Sequence, residues 1–248
     1  MIEIVLHGEK IADVFGFPVT NTMIISWTVT ILLILAAFLF RKKNNLIPDR
    51  VQGVVEAVIG GLHGFMVDLL GSKENATKTF AFVATIFIFI VANNWFALMP
   101  GLSTVGVYHD TGNGEILVPF FRTANSDLNM TLIMAITAVF MVQVFGISIL
   151  GFFKYAGKFF INPFKDPIGS FIGVLEIVSE IAKMISFSFR LFGNIFAGEV
   201  LLLIVTFLMP YGAPLPFMFL ELFVGLVQGL VFAILTLVFI QIATVEHH

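Results

Sequence analysis

The chain has 248 residues, 58% of them apolar and only 12% charged, with a mean hydropathy of +1.02; soluble domains carry about 25% charged residues. Thirty Phe, no Cys and a net charge of −3 exclude a disulfide scaffold, a Cys-ligated zinc or iron–sulfur site and a basic nucleic-acid binder. Apolar runs near the ~20 residues that a bilayer requires point instead to one helical membrane domain over residues 1–248, solvated by membrane lipid.

The first run, Met23 to Phe40, follows a mildly acidic start (Glu3, Glu9, Asp13) and stops at Arg41-Lys42-Lys43. A cleaved signal peptide carries its positive charges before the apolar core. Here they follow it, so the segment reads as a retained span with its basic end in the cytoplasm and the N-terminus outside. Residues 47–70 differ: Val51, Val54, Val55, Val58, Leu62, Phe65, Met66 and Leu69 recur at helical spacing with Gln52, Glu56, His63 and Asp68 between them. This is an amphipathic helix, expected to lie along the cytoplasmic membrane surface or to pack on its neighbours, and Asp49 ahead of Gln52 is expected to form a capping-box variant.

Two further spans, 78–99 and 128–153, are separated by a stretch with Asp110, Glu115 and a single Arg122. The loop after the second carries Lys154, Lys158 and Lys165, which agrees with a cytoplasmic side and a cytoplasmic C-terminus. Residues 167–208 read as one helix of about 63 Å, roughly twice the hydrocarbon thickness. Residues 216–245 read as another of about 45 Å, and the short turn from Pro210 to Pro216 makes the two a hairpin. The expected fold is all-α and polytopic, with about five spans, a surface amphipathic helix and a strongly tilted C-terminal hairpin.

The chemistry lies in that hairpin. Glu176, Glu180, Lys183, Arg190, Glu199, Glu221 and Gln228 sit among Phe, Leu, Ile and Val, and one charge at mid-membrane costs from ~3 to above ~10 kcal/mol. Such groups face a partner, a protein interior or water. Arg190 cannot shed its proton. Its own helix face offers Lys183, Ser186 and Asn194 and no acid within a turn, which leaves another subunit as a source of its carboxylate. Glu199, nine residues on, falls about 180° around the helix and about 13 Å along it, so the two are not an ion pair. A carboxyl buried there with no basic neighbour is a proton-relay candidate. Glu221 and Gln228, seven apart, share a face of the next helix. Counted from Pro210 and Pro216, Glu199 and Glu221 differ in depth by about 9 Å, as successive relay sites would. Glu176, Glu180 and Lys183 fit either a solvated ion-paired face or an aqueous entrance.

Ser186-Phe187-Ser188-Phe189-Arg190-Leu191-Phe192-Gly193-Asn194-Ile195-Phe196-Ala197-Gly198-Glu199 resembles the signature of subunit a of the F-type ATP synthase. Further matches are Gly16-Phe17-Pro18-Val19-Thr20-Asn21, Ala92-Asn93-Asn94, Ser126-Asp127-Leu128-Asn129-Met130-Thr131 and Gln228. The resemblance implies a non-catalytic stator subunit that passes protons through two offset half-channels to a ring of c subunits, in a bacterial inner membrane, braced by b-type peripheral stalk subunits and without cofactor or metal. It places Arg190 at the family's indispensable arginine, Asn194 and Glu199 at its polar partners and Gln228 at the glutamine near the arginine. Ser186 belongs to the same motif. Glu221 falls where many members have a histidine. Asp127 and Asn129 match outer half-channel positions, and Glu176 and Glu180 supply the cytoplasmic exit.

The rival readings are a secondary transporter and a membrane-embedded enzyme. A transporter of that kind shows two halves with matching broken helices, which this chain lacks. Its five histidines, His7, His63, His109, His247 and His248, are scattered or terminal and form no catalytic motif. Gly60 with Gly64 and Gly225 with Gly229 fit the GxxxG packing pattern.

Overall fold

The computed structural model describes residues 8–14, 16–42, 49–110, 115–157, 159 and 167–244. Its helices are α1 (Asn21–Lys42), α2 (Arg50–Leu70), α3 (Lys73–Ala97), α4 (Leu128–Leu150), the short α5 (Phe152–Ala156), α6 (Pro167–Leu208) and α7 (Pro214–Thr244). Two small antiparallel hairpins, absent from the all-helical expectation, precede α1 (β1, Lys10–Val14; β2, Phe17–Thr20) and follow α3 (β3, Gly106–Asp110; β4, Glu115–Pro119). Strands of four or five residues carry too little alternation to read against the apolar runs around them.

Six helices, α1, α2, α3, α4, α6 and α7, are long and apolar enough to cross a membrane. The protein is thus an all-α, multi-pass membrane protein, with one more candidate span than the five expected, because α2 reaches a mean hydropathy of 1.5. The last turns of α2 bury Met66 against Ala76 and Val83 of α3, Val142 of α4 and Leu237 and Ile240 of α7. Val51, Val54 and Val58 stay exposed, leaving the rest of its apolar face uncovered by this chain. Asp49 makes no side-chain cap. Its carbonyl accepts from Gly53 N at 2.8 Å, and Gln52 turns along the helix to donate to Glu56 at 2.8 Å. The capping box fails because Gln52 finds its acceptor within the helix.

Helix α3 begins at Lys73, before its apolar core, because Ser72 accepts from Asn75 N at 3.3 Å and Glu74 pairs with Lys78 one turn on at 2.8 Å. Helix α4 stops at Gly151, whose φ of 85° suits glycine, and the chain re-enters a helix as α5. Helix α6 runs unbroken for 42 residues and α7 for 31.

Helix α7 lies at the centre, packed on α2, α3, α4 and α6. Small residues set that position. A Cβ on Gly225 would come within 2.8 Å of the Asn94 side chain, and one on Gly229 within 2.6 Å of Val91. The backbone approach lets Asn94 donate to Gly225 O at 3.2 Å and Trp95 to Leu222 O at 3.0 Å. This is the small-residue contact that membrane helices use where no hydrophobic gain is available. Gly60 and Gly64 have open space around them, so the first GxxxG pair packs against none of the described residues. On the other side of α7, Phe232 joins Ile90, Ala135, Ala138, Phe187, Leu191 and Ile195 in a core that ties α3, α4 and α6 together. A hydroxyl pair, Thr131 with Ser188 at 3.1 Å, links α4 to α6 inside it.

Overpacking at the α3–α7 contact has a defined cost. Gly229→Leu is expected to destabilise the protein by about 1–3 kcal/mol, whereas Gly60→Leu stays within about 0.5 kcal/mol of the parent. The thermal unfolding midpoints of the two variants in one detergent separate these outcomes.

Candidate functional site

The inward packing of Phe187, Leu191 and Ile195 fixes the rotation of α6 and turns Ser186, Arg190 and Asn194 outward, where all three are exposed. Arg190 Nη2 donates to Ser186 Oγ at 3.2 Å, and no carboxylate among the described residues pairs with it. Gln228 of α7 shares with Arg190 a narrow crevice lined by Phe187, Leu191, Val231, Phe232 and Leu235. The cation therefore stands on an apolar outer face, next to one amide, with its charge unmatched among the described residues.

Glu199 points elsewhere, as its helical position requires, but it does have a basic neighbour. Arg122 reaches it from the loop after β4, with Nε 2.8 Å from Oε1 and the two side chains 10% and 31% exposed. The expectation of an unpaired Glu199 fails because its partner is 77 residues away in sequence. The second oxygen, Oε2, is buried with no hydrogen bond.

Glu221, 8% exposed, is held against Gly198. A Cβ at Gly198 would displace the Glu221 carboxyl from the place it occupies. The two glutamates thus meet at one level instead of lying about 9 Å apart in depth. Helix α6 ends at Leu208 and α7 begins at Pro214, so the residues lie nine and seven positions from the turn, a difference of about 3 Å.

Asp127 is 4% exposed and is the N-cap of α4. Its Oδ1 accepts from Asn129 N at 2.9 Å, and its Oδ2 accepts from Thr22 Oγ1 at 2.8 Å and Gly8 N at 3.1 Å. Asn129 contributes its backbone, while its side chain is exposed. Fully buried Asn21 accepts from Thr22 N at 2.9 Å and Glu9 N at 3.1 Å. These matched stretches therefore bind the N-terminal segment to the start of α4. Asn125, which the sequence reading passed over, continues the network by donating to Asn94 Oδ1 at 2.7 Å.

At the opposite end, Glu180 and Lys183 form an ion pair of 2.6 Å with side chains 14% and 16% exposed. Lys183 lies 4.9 Å from the Phe239 ring centroid, and Glu180 Oε2 is buried without a partner. The pair is more enclosed than a solvated helix face. Tyr155 of α5, also missed in sequence, donates to Gln143, and its hydroxyl is pushed up to about 12, chiefly by burial and then by the charges of Glu180 and Glu176.

The model of the ATP synthase A chain matches residues 23–241. The chain belongs to the ATP synthase A chain family. Among similar proteins, ATP synthase subunit a of Moorella thermoacetica is 31% identical over 90% of both chains. That of Campylobacter fetus subsp. fetus is 32% identical over 100% of both. The Propionigenium modestum relative, described as sodium ion specific, is 35% identical over 94% of this chain and 77% of its own length. Family membership makes this protein a membrane subunit of an ATP synthase complex, concerned with ATP synthesis and ion transport.

Because Tyr155 holds its proton more tightly folded than free, its contribution to stability is complete below pH 10 and is lost as pH rises towards about 12. Tyr155→Phe is expected to remove that component of the alkaline decline. Unfolding followed from pH 9 to 12 in parent and variant measures it.

Proposed function

We propose that this subunit is the proton-conducting, non-catalytic stator of a rotary ATP synthase, facing a ring of c subunits through the Arg190 face of α6. The observation that carries the reading is a permanently charged guanidinium exposed on an apolar helix with no acid beside it among the described residues. An ionised carboxylate on a passing c subunit completes it. A neutral carboxyl crosses lipid at little cost and an ionised one does not, so the ring turns only if each carboxyl is protonated before it leaves the stator and loses its proton on return. Arg190 attracts the ionised form, and its charge repels protons that would leak straight through. Asn194, Ser186 and Gln228 provide neutral polar contacts around it.

Protons reach the ring from outside along Glu199 and Glu221, with Asp127 and Asn129 at the head of that path, and leave past Glu180 and Glu176. Each charge that crosses gains about 2.3 kcal/mol per 100 mV. The two paths are offset along a hairpin whose helices, about 63 and 46 Å long, exceed an upright span and tilt.

The Lys/Arg bias supports a cytoplasmic side for the end of α1, the start of α3 and the α4–α6 connection, in a protein of the bacterial inner membrane. Helix α2 then begins and ends on the cytoplasmic side and does not cross. The five crossings by α1, α3, α4, α6 and α7 put the N-terminus outside and the C-terminus inside. Peripheral stalk subunits of the b type hold the stator against the torque of the ring.

Arg190→Ala is expected to abolish coupled ATP synthesis while the complex still assembles, because the lost group is a charge and not packing volume. Arg190→Lys fails as well, since lysine lacks the planar fork and can give up its proton in an apolar site. ATP-driven proton pumping in inverted membrane vesicles is the measurement, and near-normal pumping by the lysine variant contradicts the assignment.

A further inference from the structure

The end of the bundle around Glu180 holds two buried polar atoms of opposite kind with no hydrogen bond among the described residues. One is Gln143 Nε2 on α4, a donor, and the other is Glu180 Oε2 on α6, an acceptor. Helices α4 and α6 pack on each other. Val142, next to Gln143, lies in the cluster against which Phe239 packs, and Lys183, the ion-pair partner of Glu180, stands 4.9 Å from the Phe239 ring centroid. The amide and the carboxyl therefore belong to one level of the bundle. A buried donor and a buried acceptor are each costly to leave unsatisfied, and together they suit an occupant that both accepts and donates.

Tyr155 decides which end of the amide is left over. Its ring, buried, sits over Gly146 of α4, where a Cβ would come within 2.5 Å of it, and its hydroxyl donates to Gln143 Oε1. A phenol that gave up its proton could only accept, and would draw the NH2 of Gln143 towards itself. Burial and the charges of Glu180 and Glu176 hold that proton in place, with the hydroxyl pushed up to about 12. Tyr155 thus stays a donor at neutral pH, and the NH2 of Gln143 remains available.

We propose that Tyr155 and Gln143 are positioning residues of the cytoplasmic proton path: the tyrosine fixes the amide so that its NH2, together with the free oxygen of Glu180, holds the water through which protons pass. This rests on the stator reading above, in which protons leave past Glu180. Lys183 engages one oxygen of Glu180 and leaves the other to exchange the proton. Glu180 Oε2 passes its proton to that water, which releases one of its own towards the cytoplasm, so neither the amide nor the phenol changes protonation. In ATP-driven pumping the same steps run in reverse.

A simple fastening of α5 to α4 makes a smaller demand. It needs only an acceptor at position 143, which a carboxylate supplies as well as an amide does. The proposed role needs an acceptor and a donor on the same side chain.

The test is ATP-driven proton pumping by the intact complex in inverted membrane vesicles, whose cytoplasmic face meets the medium, with the amount of assembled enzyme equalised. Gln143→Met keeps the length and loses both groups, and is expected to slow pumping about tenfold, the size of a lost hydrogen bond to a charged partner. Gln143→Glu keeps the acceptor for Tyr155 but offers no donor, and is expected to be as slow. Gln143→His accepts at one ring nitrogen and donates at the other, and is expected to stay within about threefold of the parent. Tyr155→Phe is expected to slow the parent about threefold, as loss of a neutral hydrogen bond does, and to add nothing in Gln143→Met, because the tyrosine acts through the amide. Pumping by Gln143→Glu at the parent's rate reduces the pair to a fastening and overturns the proposal, as does a Gln143→His variant as slow as Gln143→Met. Glu180→Gln separates the two levels of the argument. If it slows pumping while Gln143→Met pumps normally, only the role of the pair falls. If it pumps normally, Glu180 is not on the path, and both that part of the stator reading and this proposal fall.

Discussion

A guanidinium that cannot lose its charge, placed on an apolar helix, is the constraint on which the rest of the structure depends. Arg190 is exposed because Phe187, Leu191 and Ile195 occupy the core-facing side of α6, and among the described residues its polar neighbours are the Ser186 hydroxyl and the Gln228 amide, with no carboxylate. A soluble protein would hydrate such a group. In a bilayer the same arrangement is costly in isolation and is relieved by an anion brought from outside the chain. In the function proposed for this subunit, that anion comes from a rotor carboxylate, and the cost of the lone charge becomes the basis of its work.

The carboxyl cluster obeys the opposite logic. Glu221 lies against Gly198, beside Glu199, and Glu199 is paired from within by Arg122. One site therefore lacks its counter-charge and the other contains it, on helices that also share the small-residue packing of α7 on α3. Between them the described residues offer a core of Phe, Leu and Ile, and no chain of charged groups continues from the glutamates to Arg190. An interior of that kind fits the two separate aqueous approaches of the proposed function.

Much of this was legible in the sequence, and for identifiable reasons. The long helices announce themselves as apolar runs, and Arg190, Glu199, Glu221 and Gln228 stand out because each is a polar residue in such a run. The 180° separation of Arg190 from Glu199 follows from helix geometry alone, and in the structure the two do turn to different neighbours. What escaped were contacts made across the fold. Arg122 looked like a loop charge because its partner lies 77 positions away. The contacts of Asp127 are likewise remote: its carboxylate caps α4 and accepts from Gly8 and Thr22, which requires the N-terminal segment to fold back. Prolines are poor guides to the helix ends here, since α6 stops two residues before Pro210 and α7 starts two before Pro216, and this shifts the depth of Glu199 relative to Glu221.

The central claim is that Arg190 stands between two separate aqueous approaches, and accessibility from each side of the membrane tests it most directly. The native chain contains no cysteine, so single replacements report without background. Ser179→Cys is expected to react with a membrane-impermeant maleimide added from the cytoplasmic side, Val200→Cys with reagent added from outside, and Phe189→Cys, beside Arg190, with little from either. Labelling that continues from Ser179 through Phe189 to Val200 with reagent on one side alone would reveal a continuous pore and contradict the account.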